Sequence, residues 1–353
     1  MARDHRPVAS AGRVVTSRTM LILTGVAALG VSSVFTELAR RALCRWRIVD
    51  VPNSRSLHAT ERPRGGGVAL VVAIPLVTIA SSWGAGVPID PRYWAVMALA
   101  TVMAVVGFVD DIRRVPVAGR LIAQVSTAMV LVWLIGPVDQ LVLPGVSTAI
   151  RAELGALLGT VLTVTAIVGF TNAFNFMDGI DGLAAAQALI GATLIAVVQP
   201  DAGGALVAAA TAGAAGGFLV HNRPPARVFM GDAGSQYLGF LFGGLALTGD
   251  RISPVPASLI ALAFLPFLVD AAATLIVRLV RGARVDEAHR DHAYQRFVLA
   301  GWSHARTTMV YAALGLAAAI GVLVVIRADS HGWVWWALAT PTFVLVGSRL
   351  IRM

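Results

Sequence analysis

The sequence predicts an all-α integral membrane protein, a polytopic bundle of about 10–11 transmembrane helices with its active site on cytoplasmic loops. Three observations carry that prediction. The chain of 353 residues is 57% hydrophobic and only 13% charged, whereas a soluble protein carries about 25% charge. Apolar runs of the length a bilayer requires, about 17–25 residues, recur from end to end. The remaining Asp, Asn and His residues gather in five short segments between those runs. Lipid offers no partner to a backbone N–H or C=O, so each run is read as a helix that pairs its own.

Taken in order, the runs fall at Met20–Ala39, Gly67–Trp83, Tyr93–Val109, Leu121–Gly136, Leu154–Phe170, Leu183–Val198, Ala205–Val220, Gln236–Thr248, Val255–Val277, Thr307–Ile326 and Trp333–Val346. The first is too long for the apolar part of a signal peptide and lacks a clear small-residue cleavage site. It therefore counts as a helix. The eighth is short. Ala205–Gly217 is rich in Ala and Gly, as in a helix packed closely on its neighbours. Residues 1–19 form an N-terminal tail, expected on the periplasmic side, and residues 20–350 a single transmembrane domain.

Arginine sets the orientation. All 28 basic residues are Arg. With the loops numbered along the chain, the odd loops and the C-terminal tail hold 20 of them, the even loops four and the N-terminal tail four. The positive-inside rule puts the odd loops and the C-terminus in the cytoplasm. The N-terminus then lies outside, against its own Arg3, Arg6, Arg13 and Arg18. The net charge of +9 sits mainly on the cytoplasmic face, where each Arg contributes about 1 kcal/mol of attraction to anionic lipid. These Arg residues are spread over several loops without stacking aromatics, which argues against nucleic acid. The single Cys44 excludes a disulfide framework and a Cys-rich metal site. The absence of Lys excludes Schiff-base chemistry and a Walker A loop.

All five polar segments fall on odd loops. The first runs from Asp50 to Gly67 and holds Asn53, Arg55, His58, Arg62 and Arg64 before Gly65-Gly66-Gly67, a composition suited to an anion-cradling turn or to a plain positive-inside loop. Asp110 and Asp111 end the third run. Adjacent carboxylates repel unless a cation neutralises them, so they are either a hard-cation or general-base site, or a helix end paired with Arg113 and Arg114. Asn172, Asn175, Asp178 and Asp181 recur every three residues, along one face of a helical turn. A cap or turn needs one such residue, and four is an excess that suits oxygen ligands. Phe229-Met230-Gly231-Asp232-Ala233-Gly234-Ser235 reads as a phosphate or metal loop before a helix, with an ordinary N-cap as the alternative. The last segment carries His289, Arg290 and His292, a poor zinc signal but a reasonable imidazole and guanidinium clamp on phosphate. Asp270, inside the ninth run, is a functional candidate by its depth, unless Thr274 or a neighbouring helix satisfies it.

In combination and in this order, VDDIRR, N-x-x-N-x-x-D-G-I-D-G-L and VFMGDAGS resemble the polyprenyl-phosphate N-acetylhexosamine-1-phosphate transferase family (glycosyltransferase family 4). The resemblance implies transfer of a sugar 1-phosphate from a UDP-N-acetylhexosamine to undecaprenyl phosphate, with release of UMP. It implies Mg²⁺, or Mn²⁺ in its place, and a possible homodimer within the membrane lipid. By that resemblance Asp110 and Asp111 match the catalytic pair and, with Asp232, the metal site. Asn172, Asn175, Asp178 and Asp181 match positions around the nucleotide and diphosphate, and Phe229 a position stacking on uracil. Arg55, His58, His289, Arg290 and His292 fall where the sugar and phosphates are met. The histidine loop reads HRDHAYQR instead of a run of consecutive histidines, a form similar to the O-antigen branch. That argues against a peptide-bearing MurNAc donor. Two other readings share the Asp-rich site: an ion-coupled transporter, which would place such groups near the midplane, and a membrane-embedded Mg²⁺-dependent phosphatase.

Overall fold

In the computed structural model, residues 18–52, 57, 60–143, 150–253, 255–283, 289–328, 340, 341 and 344 are described. Twelve helices run through them: α1 (Arg18–Arg45), α2 (Val68–Ala85), α3 (Pro91–Ile112), α4 (Val117–Ile135), α5 (Ala156–Met177), α6 (Leu183–Val198), α7 (Ala202–Asn222), α8 (Gly231–Ile252), α9 (Ala257–Leu262), α10 (Leu265–Val280), α11 (Ala293–Leu299) and α12 (His304–Ala328). Two antiparallel hairpins join them, β1 (Val49–Asp50) with β2 (Arg62–Pro63) and β3 (Gln140–Leu143) with β4 (Ile150–Glu153). The protein is thus an all-α polytopic membrane protein. Seven helices, α1 to α5, α7 and α12, are long and apolar enough to cross a bilayer unaided. The eleventh predicted run lies almost wholly outside the described residues, as does the tail before Arg18.

The remaining predicted runs are helical with departures that have local causes. The sixth run is α6 to the residue, yet its 16 residues extend only about 24 Å, short of a hydrocarbon core of about 30 Å. The eighth run is longer than expected, because α8 begins at Gly231 and includes Asp232. From Gly231 to Gly249 every residue of α8 is buried, so it is the central helix. The ninth run is broken into α9 and α10 around Ala263 and Phe264. Pro266 sits in the first turn of α10, where its missing N–H and its ring forbid a continuous helix. The hairpins were not expected from the sequence.

Small residues let these helices approach closely where the membrane supplies no hydrophobic drive. A Cβ on Gly213 of α7 would run into the carbonyl of Gly25 in α1, and one on Gly107 of α3 into the backbone of Asp232 in α8. The helix ends sort into two groups. At one end lie the C-termini of α3, α5, α7 and α10, the N-termini of α2, α4, α6, α8 and α12, and the hairpin β1–β2. At the other lies hairpin β3–β4, with Arg251 paired to Asp139 at 2.7 Å and Gln199 donating to the Tyr93 hydroxyl at 2.9 Å. Described parts of all five polar segments stand at the first end.

Candidate active site

The site is built on a short backbone pairing. Residues Arg64 to Gly67 run parallel to Phe229 and Met230. The Gly66 N–H donates to the Phe229 carbonyl at 2.9 Å, the Gly67 N–H to the Met230 carbonyl at 2.9 Å, and the Phe229 N–H to the Pro63 carbonyl at 2.8 Å. A Cβ on Gly67 would enter the backbone of Gly234. The two glycine-rich segments are therefore one wall, and only glycine at position 67 lets them meet.

Charge is arranged on that wall by two arginines and three aspartates. Arg64 donates from Nε to Asp111 Oδ1 at 2.6 Å and from Nη2 to Asp232 Oδ1 at 2.8 Å. The Asp111 side chain is 0% exposed. It also accepts the N–H of Asp232 at 3.0 Å and that of Ala233 at 3.2 Å. Residue Met230, at the N-cap of α8, offers no side-chain cap, so Asp111 supplies one from α3. Asp110 is differently placed. It accepts the Val115 N–H at 2.6 Å and Arg120 Nη1 at 2.7 Å, and the same guanidinium nitrogen lies 3.5 Å from Asp232 Oδ2. Asp110 and Asp232 thus reach one nitrogen and can be no farther apart than those two distances together.

Above this wall is a cleft of about 610 Å³, within the range of small-molecule sites. Arg64, Asp110, Arg120 and Asp232 are among its lining, as are Asn175, Asp178, Asp181, Phe229, His289, Gln295 and His304. Asn175 donates to the Ser235 hydroxyl at 3.1 Å, tying α5 to α8. Burial pushes the Asp178 carboxyl well above the ordinary range. The charges of Asp232 and Asp111 act the same way, against Arg64 and the Gly231 N–H. Asp181 is moved the other way. Burial raises it, but the hydrogen bond to His304, the Ala226 N–H and the charges of His304 and Arg62 outweigh burial and hold it below the usual value. His304 Nε2 lies 3.2 Å from the Leu57 carbonyl, so this residue joins the first loop to the Asp181 turn.

Among the described residues no group of three or more His, Cys, Asp or Glu is set to hold a metal ion alone. Mg²⁺ does not require one, since it commonly binds through one or two carboxylates and the substrate's own phosphates. Asp110 and Asp232 supply hard oxygen donors of that kind, with no thiolate in reach. Asp111 does not face the cleft: its side chain is 0% exposed and stands behind the lining that Asp110 and Asp232 form. The donor set therefore fits Mg²⁺ at Asp232 and Asp110, where the sequence had suggested all three aspartates.

Other expected residues stand elsewhere. The Asn172 amide donates to Gln124 at 2.8 Å and to the Val168 carbonyl at 2.9 Å, and it is not part of the cleft lining. Its place in the i, i+3 series marks a helix–helix contact. His292 is buried at the N-cap of α11, where it forms a capping box with Gln295, so it faces the protein. Arg290 is half-buried beside it and outside the lining. Arg55 and His58 lie outside the described residues. Conversely, Arg120 and Gln295 line the cleft without having been singled out, and Arg64, read as part of the first loop's anion-cradling segment, and His304 line it with them. Arg120 could have been found from the lack of Lys, since any phosphate here must be met by Arg.

His289 sits in the cleft as a neutral group. Burial, followed by the charges of His292 and Arg278, pushes it down to about 4, against Asp291. It therefore acts on a ligand through hydrogen bonding at neutral pH. Its folded value lies below the unfolded value of about 6.5, so its contribution to stability is present above pH 6.5 and is lost as pH falls from there towards 4. Thermal unfolding should show wild type losing more stability across that interval than His289→Gln; equal losses would refute this assignment.

A helical membrane bundle with a carboxylate and arginine cleft at one set of helix ends has the charge and the depth to receive an anionic ligand. Residues 93–250 match the glycosyl transferase family 4 profile. The chain is 32% identical to a phospho-N-acetylmuramoyl-pentapeptide-transferase of Synechococcus sp., over 88% of this chain and 91% of the relative. It is 30% identical to the decaprenyl-phosphate N-acetylglucosaminephosphotransferase of Mycolicibacterium smegmatis, over 84% of this chain and 80% of the relative. It is 28% identical to a probable undecaprenyl-phosphate N-acetylglucosaminyl 1-phosphate transferase of Bacillus subtilis, over 90% and 87%. The chain belongs to glycosyl transferase family 4 and is a transferase.

Proposed function

We propose that this enzyme transfers N-acetylhexosamine 1-phosphate from a UDP-sugar to undecaprenyl phosphate and releases UMP. It does so with Mg²⁺, on the cytoplasmic face of a bacterial inner membrane, and so initiates a lipid-linked cell-surface glycan such as an O-antigen or teichoic acid. The relatives' names, each a transferase of a sugar phosphate or to a polyprenyl phosphate, support the general reaction. The observation that carries the reading is the convergence of Asp110, Asp232, Arg64 and Arg120 in one cleft at the helix ends. Two phosphates that must meet there repel, and transfer between them is chiefly positioning and charge neutralisation.

In this reading an oxygen of the lipid phosphate attacks the sugar-bearing phosphorus of the donor. The bond from that phosphorus to the bridging oxygen breaks, and UMP leaves with the electron pair. Asp110 takes the proton of the lipid phosphate when it is protonated. Arg120 and Arg64 face the diphosphate, and Arg120 also holds Asp110 in place. Phe229 offers a ring to the uracil, with Asp181 and His304 beside it. Asn175 and Asp178 border the diphosphate, and His289 and Gln295 the sugar. Asp232, with Asp110, would hold the cation, which when bound neutralises phosphate charge.

The test uses the full chain in detergent with undecaprenyl phosphate, Mg²⁺ and a panel of UDP-sugars led by UDP-GlcNAc and including the MurNAc-pentapeptide donor. UMP should appear with one or few donors and only when lipid is present. Absence of UMP with every donor would overturn the reading, and inorganic phosphate in its place would point to a phosphatase.

A further inference from the structure

Asp270 takes no part in the reaction as proposed, yet it is a carboxylate 1% exposed within α10. It accepts the N–H of Ala293 at 2.9 Å, the N–H of Tyr294 at 3.2 Å, the hydroxyl of Tyr311 at 2.6 Å and the hydroxyl of Thr274 at 3.3 Å. Ala293 and Tyr294 open α11, and first-turn N–H groups have no partner inside their own helix. A carboxylate from α10 thus closes the start of α11, and α12 adds Tyr311. Thr274 alone, one of the two explanations that the sequence allowed, accounts for a single donor.

What α11 carries explains why its start must be fixed. Gln295 lines the cleft beside His289. Tyr294 is 1% exposed and donates from its hydroxyl to the Phe176 carbonyl at 2.9 Å. The same hydroxyl presses on Gly179 so closely that no Cβ fits there. Gly179 follows Asp178, and both line the cleft. The nucleobase side is held separately: Asp181 by the Ala226 N–H at 3.0 Å, and Asn222 by the Val228 carbonyl at 2.9 Å.

We propose that Asp270 is a positioning residue for the transfer step: from inside α10 it fixes the start of α11, and Tyr294 passes that position to the Asp178–Gly179 turn. The kinetic half of this inference rests on the transferase reading, and the structural half does not. In Asp270→Asn the side chain keeps one accepting oxygen and gains an amide that meets donors. The start of α11 then loosens, and the turn at Asp178 loosens with it. Tyr294→Phe leaves Asp270 intact and removes only the hydroxyl that reaches Phe176.

The test measures hydrogen exchange of residues 176–180, UMP release and UMP binding in the full chain for both variants. Exchange at 176–180 should rise at least about fivefold in each. Turnover should fall roughly tenfold, while UMP affinity and the number of UMP sites stay within about twofold of wild type. A role in stability alone would lower turnover and UMP sites together. Unchanged exchange at 176–180 in Tyr294→Phe overturns the proposal, as does wild-type turnover in that variant or an equal loss of UMP sites. If Asp270→Asn does not fold, Tyr294→Phe decides. If wild type forms no UMP, the transferase reading fails, and exchange still decides whether Asp270 and Tyr294 hold the turn.

Discussion

Asp111→Ala should cost the protein its fold, and Asp110→Asn should cost it turnover. The two residues are adjacent, but Asp111 is 0% exposed and receives Arg64 and two N–H groups of α8. Removing its carboxylate leaves Arg64 with Asp232 alone and two N–H groups at the start of α8 without an acceptor, at a cost of about 1–3 kcal/mol for each unsatisfied buried donor. Thermal unfolding in detergent should show a large fall. Asp110 faces the cleft, and Asn at that position can still accept the Val115 N–H. It cannot take a proton. Loss of a positioned acid–base group lowers turnover by roughly 10²–10⁴-fold, with an unfolding temperature near that of wild type. Full turnover in Asp110→Asn would sink its role, and wild-type unfolding of Asp111→Ala would sink the cap.

Withdrawal of divalent cation should bring UMP release to background, and Asp232→Ala should do nearly the same. Asp232 is held between Arg64 at 2.8 Å and Arg120 at 3.5 Å, with one oxygen towards each. Its removal leaves Asp110 without the carboxylate that shares Arg120 with it. Charge stabilisation by a bound cation is worth several kcal/mol, or about a thousandfold in rate. In Asp232→Ala the Mg²⁺ concentration for half-maximal rate should rise at least about tenfold. Activity that survives EDTA, or a variant with wild-type Mg²⁺ dependence, would remove the metal from the proposal.

Helices were legible because apolar run length is a property of composition. Leu183–Val198 was read to the residue for that reason. The break between α9 and α10 was not, because Phe264, Leu265 and Pro266 are all apolar and hydropathy is blind to backbone geometry. Hairpins of two and four residues per strand fall below any periodic signal. Of the residues expected at the site, Asp232, Asn175, Asp178, Asp181, Phe229 and His289 line the cleft, and each stands in a dense polar segment. The splitting of pairs was missed. Asp110 lines the cleft while its neighbour Asp111 is taken up in capping α8, a division that adjacency in sequence does not reveal. His289 and His292 are three apart, but the second is a cap, which spacing cannot reveal. Arg120 was hidden, and Arg64 left with two readings, because a basic residue on this side is explained by topology alone.

The pairing of Arg64 with Asp232 also dictates an order of events at the ribosome. The two residues are 168 positions apart. At synthesis rates of about 5–20 residues per second, Arg64 waits roughly 8–34 s for its partner. Throughout that interval the first loop has neither the Phe229 strand beside it nor a carboxylate from α8. The cleft is thus a late product of biogenesis, absent from any nascent chain that stops short of α8, however many of its helices have already entered the bilayer.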